Sequence, residues 1–471
     1  MIILGSARSR TCAGRVEGGP LTEGSIPNQA APAHPFLASV AGVFGTRIAQ
    51  LASNLVVTYL LARLLGPDGR GVYAVLILLP NTLFAIGQFG LPSAMVFHAG
   101  RGDRVSALAR LTFILGVPTC IVLVGGTLLL LPALEGSVLR TAPDNLLRLA
   151  LLAVPLRLMT TLAGSILYGL GWFRRYNTIL TVQSVLAIVF VLALVGLTGG
   201  GVDGALAAYL LMLGIGSLAV FAVLGRAVSE AKGGGDVPVR GLIGYSLGLY
   251  PATVAQFLGY RADVFLLGWL QGSAVQIGLY SIGVSIGELV FNVPDAVSTV
   301  LFPRMAGATR EEAGRLAPAA ARTTMLVTAA AALVTVPAAW IAIALLLPDF
   351  LGGIPALIVI LPGIVTLSLG KVLTSYLSGI SELRAITIAA VAALVANLVA
   401  NLLLIPPFGI VGAAASSLLS YTLNAALMVA AASKAAGVPA ADFVVPRGED
   451  FRRLLLLAHR VLGAMAARRV G

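Results

Sequence analysis

The chain has 471 residues, of which 58% are hydrophobic and 11% charged, with a formal net charge of +12. Soluble domains carry about 25% charged residues, so this composition excludes a water-soluble globular protein and makes the lipid bilayer the solvent. The excess positive charge sits between apolar runs, as membrane topology requires, which excludes a nucleic-acid-binding surface as its explanation.

Residues 1–36 are rich in Gly, Pro, Ser and Ala and lack the continuous apolar core of a secretory signal, so a disordered cytoplasmic tail is expected there. Twelve apolar runs follow, at 39–62, 71–97, 108–131, 148–170, 177–197, 204–225, 241–269, 276–302, 321–347, 353–379, 385–404 and 410–432. A spanning helix needs about 20 mostly apolar residues. Backbone groups in lipid must be paired within the segment, so these runs predict helices; the short alternating segments of a β-barrel are absent. The predicted fold is an all-α integral membrane protein with twelve transmembrane helices in two six-helix lobes. The N-lobe spans 37–226, a cytoplasmic linker 227–240 and the C-lobe 241–434, with a second cytoplasmic tail at 435–471.

Basic residues set the orientation. Arg8, Arg10, Arg15, Arg101, Arg104, Arg110, Arg174, Arg175 and Arg226 begin a series on one side, whereas the last four loops of the other side carry no Lys or Arg. Both termini are therefore expected in the cytoplasm, in a multi-pass protein of the cytoplasmic membrane. In the final tail, Phe451, Leu454, Leu455, Ala458, Leu462 and Met465 share a helical face opposite arginines, the pattern of an interfacial helix. Cys12 and Cys120 give no disulfide or metal pattern. His34, His98 and His459 are far apart, and no metal site is expected.

The chain repeats itself. GVYAVLILLPN at 71–81 resembles GLYSIGVSIGE at 278–288, placing Tyr73 on Tyr280 with a shift of 207, and Pro155 falls on Pro362 at the same shift. One residue more places Gly171 on Gly379 and GVDGALAA (201–208) on GIVGAAAS (409–416). Six helices per half is an even number, so the halves share one orientation and are parallel repeats about an axis along the membrane normal. Asn81 and Gln88 map onto Glu288 and Asp295, and each pair is seven residues apart, on one expected helix face with Asn292 beside the second pair. These matching stripes, with Asn54 on the first span, predict a cavity between the lobes.

Charges inside spans cost about 2.5–3.5 kcal/mol each at a helix centre and require a partner or water. Arg47, Arg157, Arg261, Asp263, Glu288, Asp295 and Lys371 lie well inside predicted spans. Arginine offers a planar fork to phosphate oxygens and lysine a point charge. Arg47, Arg157, Arg261 and Lys371 are therefore the candidate ligands of an anionic headgroup. Asp263, Glu288 and Asp295 are candidates for ion pairing or for carrying a coupling proton or sodium ion.

ARLLGPDGRGVYAV (62–75), RADVFLLGWLQGSAVQIGLYSIG (261–283) and AVSTVLFPRM (296–305) resemble the polysaccharide transporter family. These are oligosaccharide-lipid flippases of the multidrug/oligosaccharidyl-lipid/polysaccharide exporter superfamily. The resemblance covers about 39–432 and leaves out both tails. It implies a V-shaped pair of lobes working by alternating access and carrying a polyprenyl-diphosphate-linked glycan across the membrane. It also implies a place beside glycosyltransferases and a polymerase of a pathway for O-antigen, capsule or exopolysaccharide. Cationic cavity residues of such flippases hold the pyrophosphate, a role that would fall here on Arg47, Arg157, Arg261 and Lys371, of which Arg261 alone lies in a matched segment.

Two other classes compete. A cation-coupled multidrug antiporter of the same superfamily commonly has a carboxylate in its first helix, and residues 39–62 contain none. A membrane polysaccharide polymerase or ligase holds its chemistry in a long outer loop, whereas GGGVDG, LQGSAV, LPDFLGG and IPPFG are short. No HExxH or GxxxxGK[ST] motif is present, so no catalytic residue and no cofactor are assigned beyond a coupling ion and the membrane potential.

Overall fold

The computed structural model of the protein describes residues 33–135, 139–231, 233–235, 237 and 239–452. Most of these residues are helical, and no strand longer than a single bridge occurs among them. The first half contains α1 (Ala33–Gly87), α2 (Leu91–Gly100), α3 (Val105–Glu135), α4 (Asp144–Ala150), α5 (Ala153–Gly169), α6 (Phe173–Val191) and α7 (Gly201–Glu230). The second contains α8 (Val239–Gln271), α9 (Ala274–Val290), α10 (Asn292–Gly307), α11 (Arg310–Leu346), α12 (Ile354–Gly379), α13 (Leu383–Ala436) and the short α14 (Ala441–Val444). A π-helical turn at Leu192–Leu197 ends α6, and a 3-10 turn at Pro348–Gly353 leads into α12. Most of the expected first tail and the interfacial helix beyond residue 452 lie outside the described residues.

Nine helices among the described residues are long and apolar enough to cross a membrane. Two of them each join two of the expected runs through a glycine break. In α1 the break is at Gly66 (φ 67°), and in α13 at Gly409 (φ 55°). Both have left-handed glycines near the matching place in the other half: Gly272 (φ 61°), one residue before the position matching Gly66, precedes α9, and Gly201 (φ 53°) opens α7. Left-handed backbone of this kind costs glycine little and other residues more. The duplication is thus visible in backbone geometry as well as in side chains. The helix restarts differently after each first break. Pro67 needs no partner for a missing N–H, whereas the Ser273 side chain accepts from the Gln276 N–H at 3.3 Å.

One landmark is corrected. Gly171 (φ 77°) does not match Gly379; it matches Ser381 (φ 63°), because both follow a helix end, Gly169 in α5 and Gly379 in α12. The shift there is therefore 210, returning to 208 at Gly201 and Gly409. The π-helical turn, present after α6 and absent from α13, lies in the interval where those extra residues are taken up.

The halves meet along α1 and α8–α9. A Cβ on Gly71 would strike the Ala274 carbonyl, and one on Gly278 the Pro67 carbonyl. Positions 67 and 71 are related to 274 and 278 by the repeat shift of 207. The contact is therefore isologous, the same two positions of each repeat touching as they would across a two-fold axis. Farther along the seam, Gly90 lies against the Ser246 carbonyl, the Tyr250 hydroxyl donates to the Ile86 carbonyl, and the Phe89 and Tyr250 rings are 5.2 Å apart. A buried apolar cluster including Leu76, Leu79, Leu267, Ile277 and Tyr280 fills the seam between these two closures.

Two cytoplasm-assigned segments are tied into the bundle. The Arg104 N–H donates to the Gly235 carbonyl at 2.9 Å, holding part of the 227–240 linker, while His98 Nδ1 and Asp103 Oδ2 are 2.6 Å apart beside it. After α13, Phe443 is fully buried and Arg322 of α11 pairs with Asp450 at 2.7 Å. The described part of the segment expected as a second cytoplasmic tail is packed onto the C-terminal half.

Candidate functional site

In the first half the site is built on Arg157 of α5. Its Nη1 donates to Asn81 Oδ1 of α1 and, at 3.4 Å, to the Tyr209 hydroxyl of α7, which also donates to Asn81 at 3.4 Å. The guanidinium carbon lies 4.9 Å from the Phe84 ring centroid. Three helices thus converge on one cation, and each of these partners is uncharged. An arginine held by an amide, a phenol and an aromatic face keeps its full charge while its orientation is fixed.

The second half treats its cations differently. Arg261 Nη2 lies 3.0 Å from Glu288 Oε1, with side chains 37% and 30% exposed. Lys371 Nζ lies 2.7 Å from Asp295 Oδ1, with 15% and 43% exposed, and 4.3 Å from the Phe291 centroid. Such exposure in membrane helices requires water-sized space beside the pairs, because ion pairs do not face hydrocarbon. Of the candidate headgroup ligands, Arg261 and Lys371 thus each carry a counter-ion from the carboxylates considered for ion pairing, and Arg157 is held by neutral groups. The Arg47 side chain lies outside the described residues.

Other expected residues also move. Asp263 is 1% exposed and accepts from the Tyr280 hydroxyl, the Val264 N–H at 2.8 Å and Ser417 Oγ at 3.3 Å. Its oxygens are filled by donors from α8, α9 and α13, so it acts as a buried strut among these helices. Arg261, two residues away, faces another direction, as helical geometry requires. Gln88 is removed from the Asn81 stripe, because α1 ends at Gly87 and positive φ at Phe89 and Gly90 turns the chain; Gln88 Nε2 reaches back to the Ala85 carbonyl at 3.5 Å. Glu288 and Asp295 lie on either side of Phe291, where α9 passes into α10 with helical backbone (φ −61°, ψ −23°) and Asn292 Nδ2 donates to the Leu289 carbonyl at 2.9 Å. The two carboxylates then reach separate cations. Asn54 is exposed on α1.

The repeat explains the asymmetry. A shift of 207 places Asn54 on Arg261 and Asn81 on Glu288. The two positions forming an ion pair in the second half are both asparagine in the first, and Asn81 holds Arg157 instead. Sequence reading missed Tyr209 and Phe84; their available signal was an aromatic residue within reach of a membrane cation. It also missed Arg70, buried with its Nε unpaired and its guanidinium 5.6 Å from the Tyr73 centroid. Among the described residues no group of three or more His, Cys, Asp or Glu forms a metal site, and Cys120 is a buried free thiol.

Among the described residues the arrangement offers a cation held by neutral groups in the first half and two ion pairs in the second, within a multi-pass helical membrane protein. Solved structures with the same fold include the lipid II flippase MurJ in an inward closed conformation (TM-score 0.67, 14% identity, covering 85% of this chain and 89% of that one). An inward-facing multidrug resistance MATE family transporter of the MOP superfamily is also similar (TM-score 0.60, 18% identity, 82% and 94% covered). The MATE transporter VcmN of Vibrio cholerae is a third (TM-score 0.57, 17% identity, 85% and 95% covered). No curated protein matches by sequence. Residues 39–308, more than half of the chain, match the family model described as polysaccharide biosynthesis protein, and the chain therefore belongs to that family.

Proposed function

We propose that the protein is a flippase that carries a polyprenyl-diphosphate-linked oligosaccharide from the cytoplasmic to the outer leaflet of the cytoplasmic membrane by alternating access. The observation carrying this reading is Arg157, a membrane-embedded guanidinium held by Asn81, Tyr209 and Phe84 with no carboxylate partner among the described residues. A fixed cation favours a phosphate-bearing headgroup and disfavours the cationic drugs of a multidrug exporter. With both termini cytoplasmic, the headgroup enters beside α2 and the start of α8, and the prenyl chain stays in lipid.

Binding then becomes an exchange of counter-ions. The diphosphate docks on Arg157 and competes with Glu288 and Asp295 for Arg261 and Lys371, whose pairs are open enough to separate. An inside-negative potential assists outward movement of the anion by about 2.3 kcal/mol per charge per 100 mV. The displaced carboxylates can accept a proton or sodium ion for the return step.

Arg157→Ala is the direct test. Delivery of lipid-linked glycan to the outer leaflet, measured in cells or proteoliposomes, is expected to fall about tenfold or more, since a hydrogen bond to a charged group contributes about 1.5–3 kcal/mol. Undiminished delivery at equal expression overturns the flippase reading. A second variant tests the exchange. Glu288→Gln removes the carboxylate paired with Arg261, so undecaprenyl diphosphate is expected to bind about tenfold more tightly in nanodiscs while turnover slows. Unchanged binding would show that Glu288 does not compete with the phosphates.

A further inference from the structure

With both termini cytoplasmic, the contacts of Gly71 with Ala274 and of Gly278 with Pro67 lie on the outer side of the membrane. A side chain closes the same seam. Arg140, in the turn between α3 and α4 of the first half, donates from Nε to the Gly268 carbonyl of α8 at 3.2 Å. Its guanidinium occupies the place where a Cβ on Gly272 would stand, two residues before Ala274. The second half reaches back without charge. The repeat shift of 207 places Arg140 on Leu347 and Gly268 on Leu61, and Leu347 packs on a buried cluster that contains Phe350, Ile354 and Ala62 of α1. Arg70, next to Gly71, falls in the same way on Ile277, which is fully buried in the seam.

Leucine and isoleucine close the seam in one copy, so closure alone does not explain arginine in the other. Arg70 is 9% exposed with its Nε unpaired, and neither arginine has a carboxylate partner among the described residues. Arg70 and Asn81, the residue that holds Arg157, are eleven residues apart, about three turns and 16 Å along one face of α1. The first half therefore carries cations both at the middle of this face and at its outer end. The carbonyl that Arg140 holds is a neutral acceptor. A phosphate oxygen binds a guanidinium about twice as strongly and fits its planar fork, so a phosphate-bearing group can take Arg140 over. We propose that Arg140 and Arg70 form an exit site for the diphosphate on the outer side of the first half, and that binding there draws Arg140 from Gly268 and releases the outer seam, a proposal that rests on the flippase reading. Arg157 then receives the anion and the outer pair delivers it. Arg140 is exposed, so free pyrophosphate reaches it from solution without crossing the cavity.

The distance between spin labels at Asp68 and Val275, both exposed beside the seam, follows its opening in the full-length protein in nanodiscs. Without a ligand, wild type and Arg140→Leu, which takes the residue of the other copy, are expected to share the same short distance. Inorganic pyrophosphate is expected to lengthen it in wild type and in Arg157→Ala alike. In Arg140→Leu and Arg70→Leu the concentration required should rise about tenfold or more, and Arg140→Lys, which keeps the charge and loses the fork, should fall between. Binding of undecaprenyl diphosphate to the same nanodiscs tests the flippase reading separately and is expected to weaken in Arg157→Ala. If pyrophosphate leaves the wild-type distance unchanged, opens Arg140→Leu as readily as wild type, or acts only where Arg157 is present, the exit site is overturned and carrier binding at Arg157 is untouched. If the carrier fails to bind wild type while pyrophosphate still opens the seam through Arg140, the flippase reading falls and the outer site stands for a free diphosphate.

Discussion

Replacing Gly278 with valine is expected to force the two halves apart at their closest approach and to stop transport. A Cβ at this position strikes the Pro67 carbonyl, and the repeat-related Gly71 faces the Ala274 carbonyl in the same way. Both obstacles are backbone atoms of neighbouring helices, so no rotamer change relieves the clash. Overpacking of this kind costs about 1–3 kcal/mol. If the contact is made in one conformation and broken in the other, the whole cost falls on the closed one and shifts the ratio of states about 5–150-fold. Spin labels at Asp68 and Val275, both exposed close to this contact, report it directly. The expected result is a longer separation in Gly278→Val, the same direction of change in Gly71→Val, and loss of glycan delivery in both. Wild-type distances together with wild-type transport would show that the glycine contact is no closure.

Asp450→Ala is expected to produce the largest loss of stability. Asp450 is fully buried and accepts from Arg322 Nε at 2.7 Å and from the Arg447 N–H at 2.9 Å. Arg322, 7% exposed at its side chain, also donates to the Asp442 carbonyl. Alanine removes the counter-charge and leaves the guanidinium in place, the situation that costs about 3–5 kcal/mol when the pair is buried. Thermal unfolding of the detergent-solubilised protein should shift down by several degrees, and a protease cutting after arginine should reach Arg447 sooner. Removing both charges in Arg322→Met/Asp450→Leu should recover much of the loss, because apolar replacement of a whole buried pair is often neutral. A single variant that melts like wild type would show that the tail is held by Phe443 packing alone.

The membrane architecture was legible because composition and the length of apolar runs leave few alternatives. The duplication was legible because Tyr73 and Tyr280 sit in matching patterns. The membrane charges declared themselves by their cost in lipid. Their pairing did not. Glu288 is 27 residues from Arg261 and Asp295 is 76 from Lys371, so the partners come from separate helices and no local spacing records them. Gln88 was misplaced because a seven-residue spacing marks a face only while the helix continues, and Phe89 with Gly90 ends it. Asp263 looked like a cavity residue because the hydroxyls that bury it, Tyr280 and Ser417, are 17 and 154 residues away. A small polar crevice between α8, α12 and α13, lined by Gln256, Ser378 and Asn424, left the faintest trace. Single amides and hydroxyls in apolar runs are common, and only the fold gathers Gln256, Ser378 and Asn424 together.

The unequal chemistry of the duplicated halves has an evolutionary corollary. An ancestral assembly of two copies of the first half would present a pair of guanidinium groups, each held by neutral partners and neither balanced by a carboxylate. Two copies of the second half would present salt links alone and no permanent attraction for an anion. The fused chain escapes both extremes because Asn54 and Asn81 stand where the other copy keeps Arg261 and Glu288. Divergence at those few positions leaves a cation among neutral groups in one copy and ion pairs in the other, a combination that neither could supply as a homodimer.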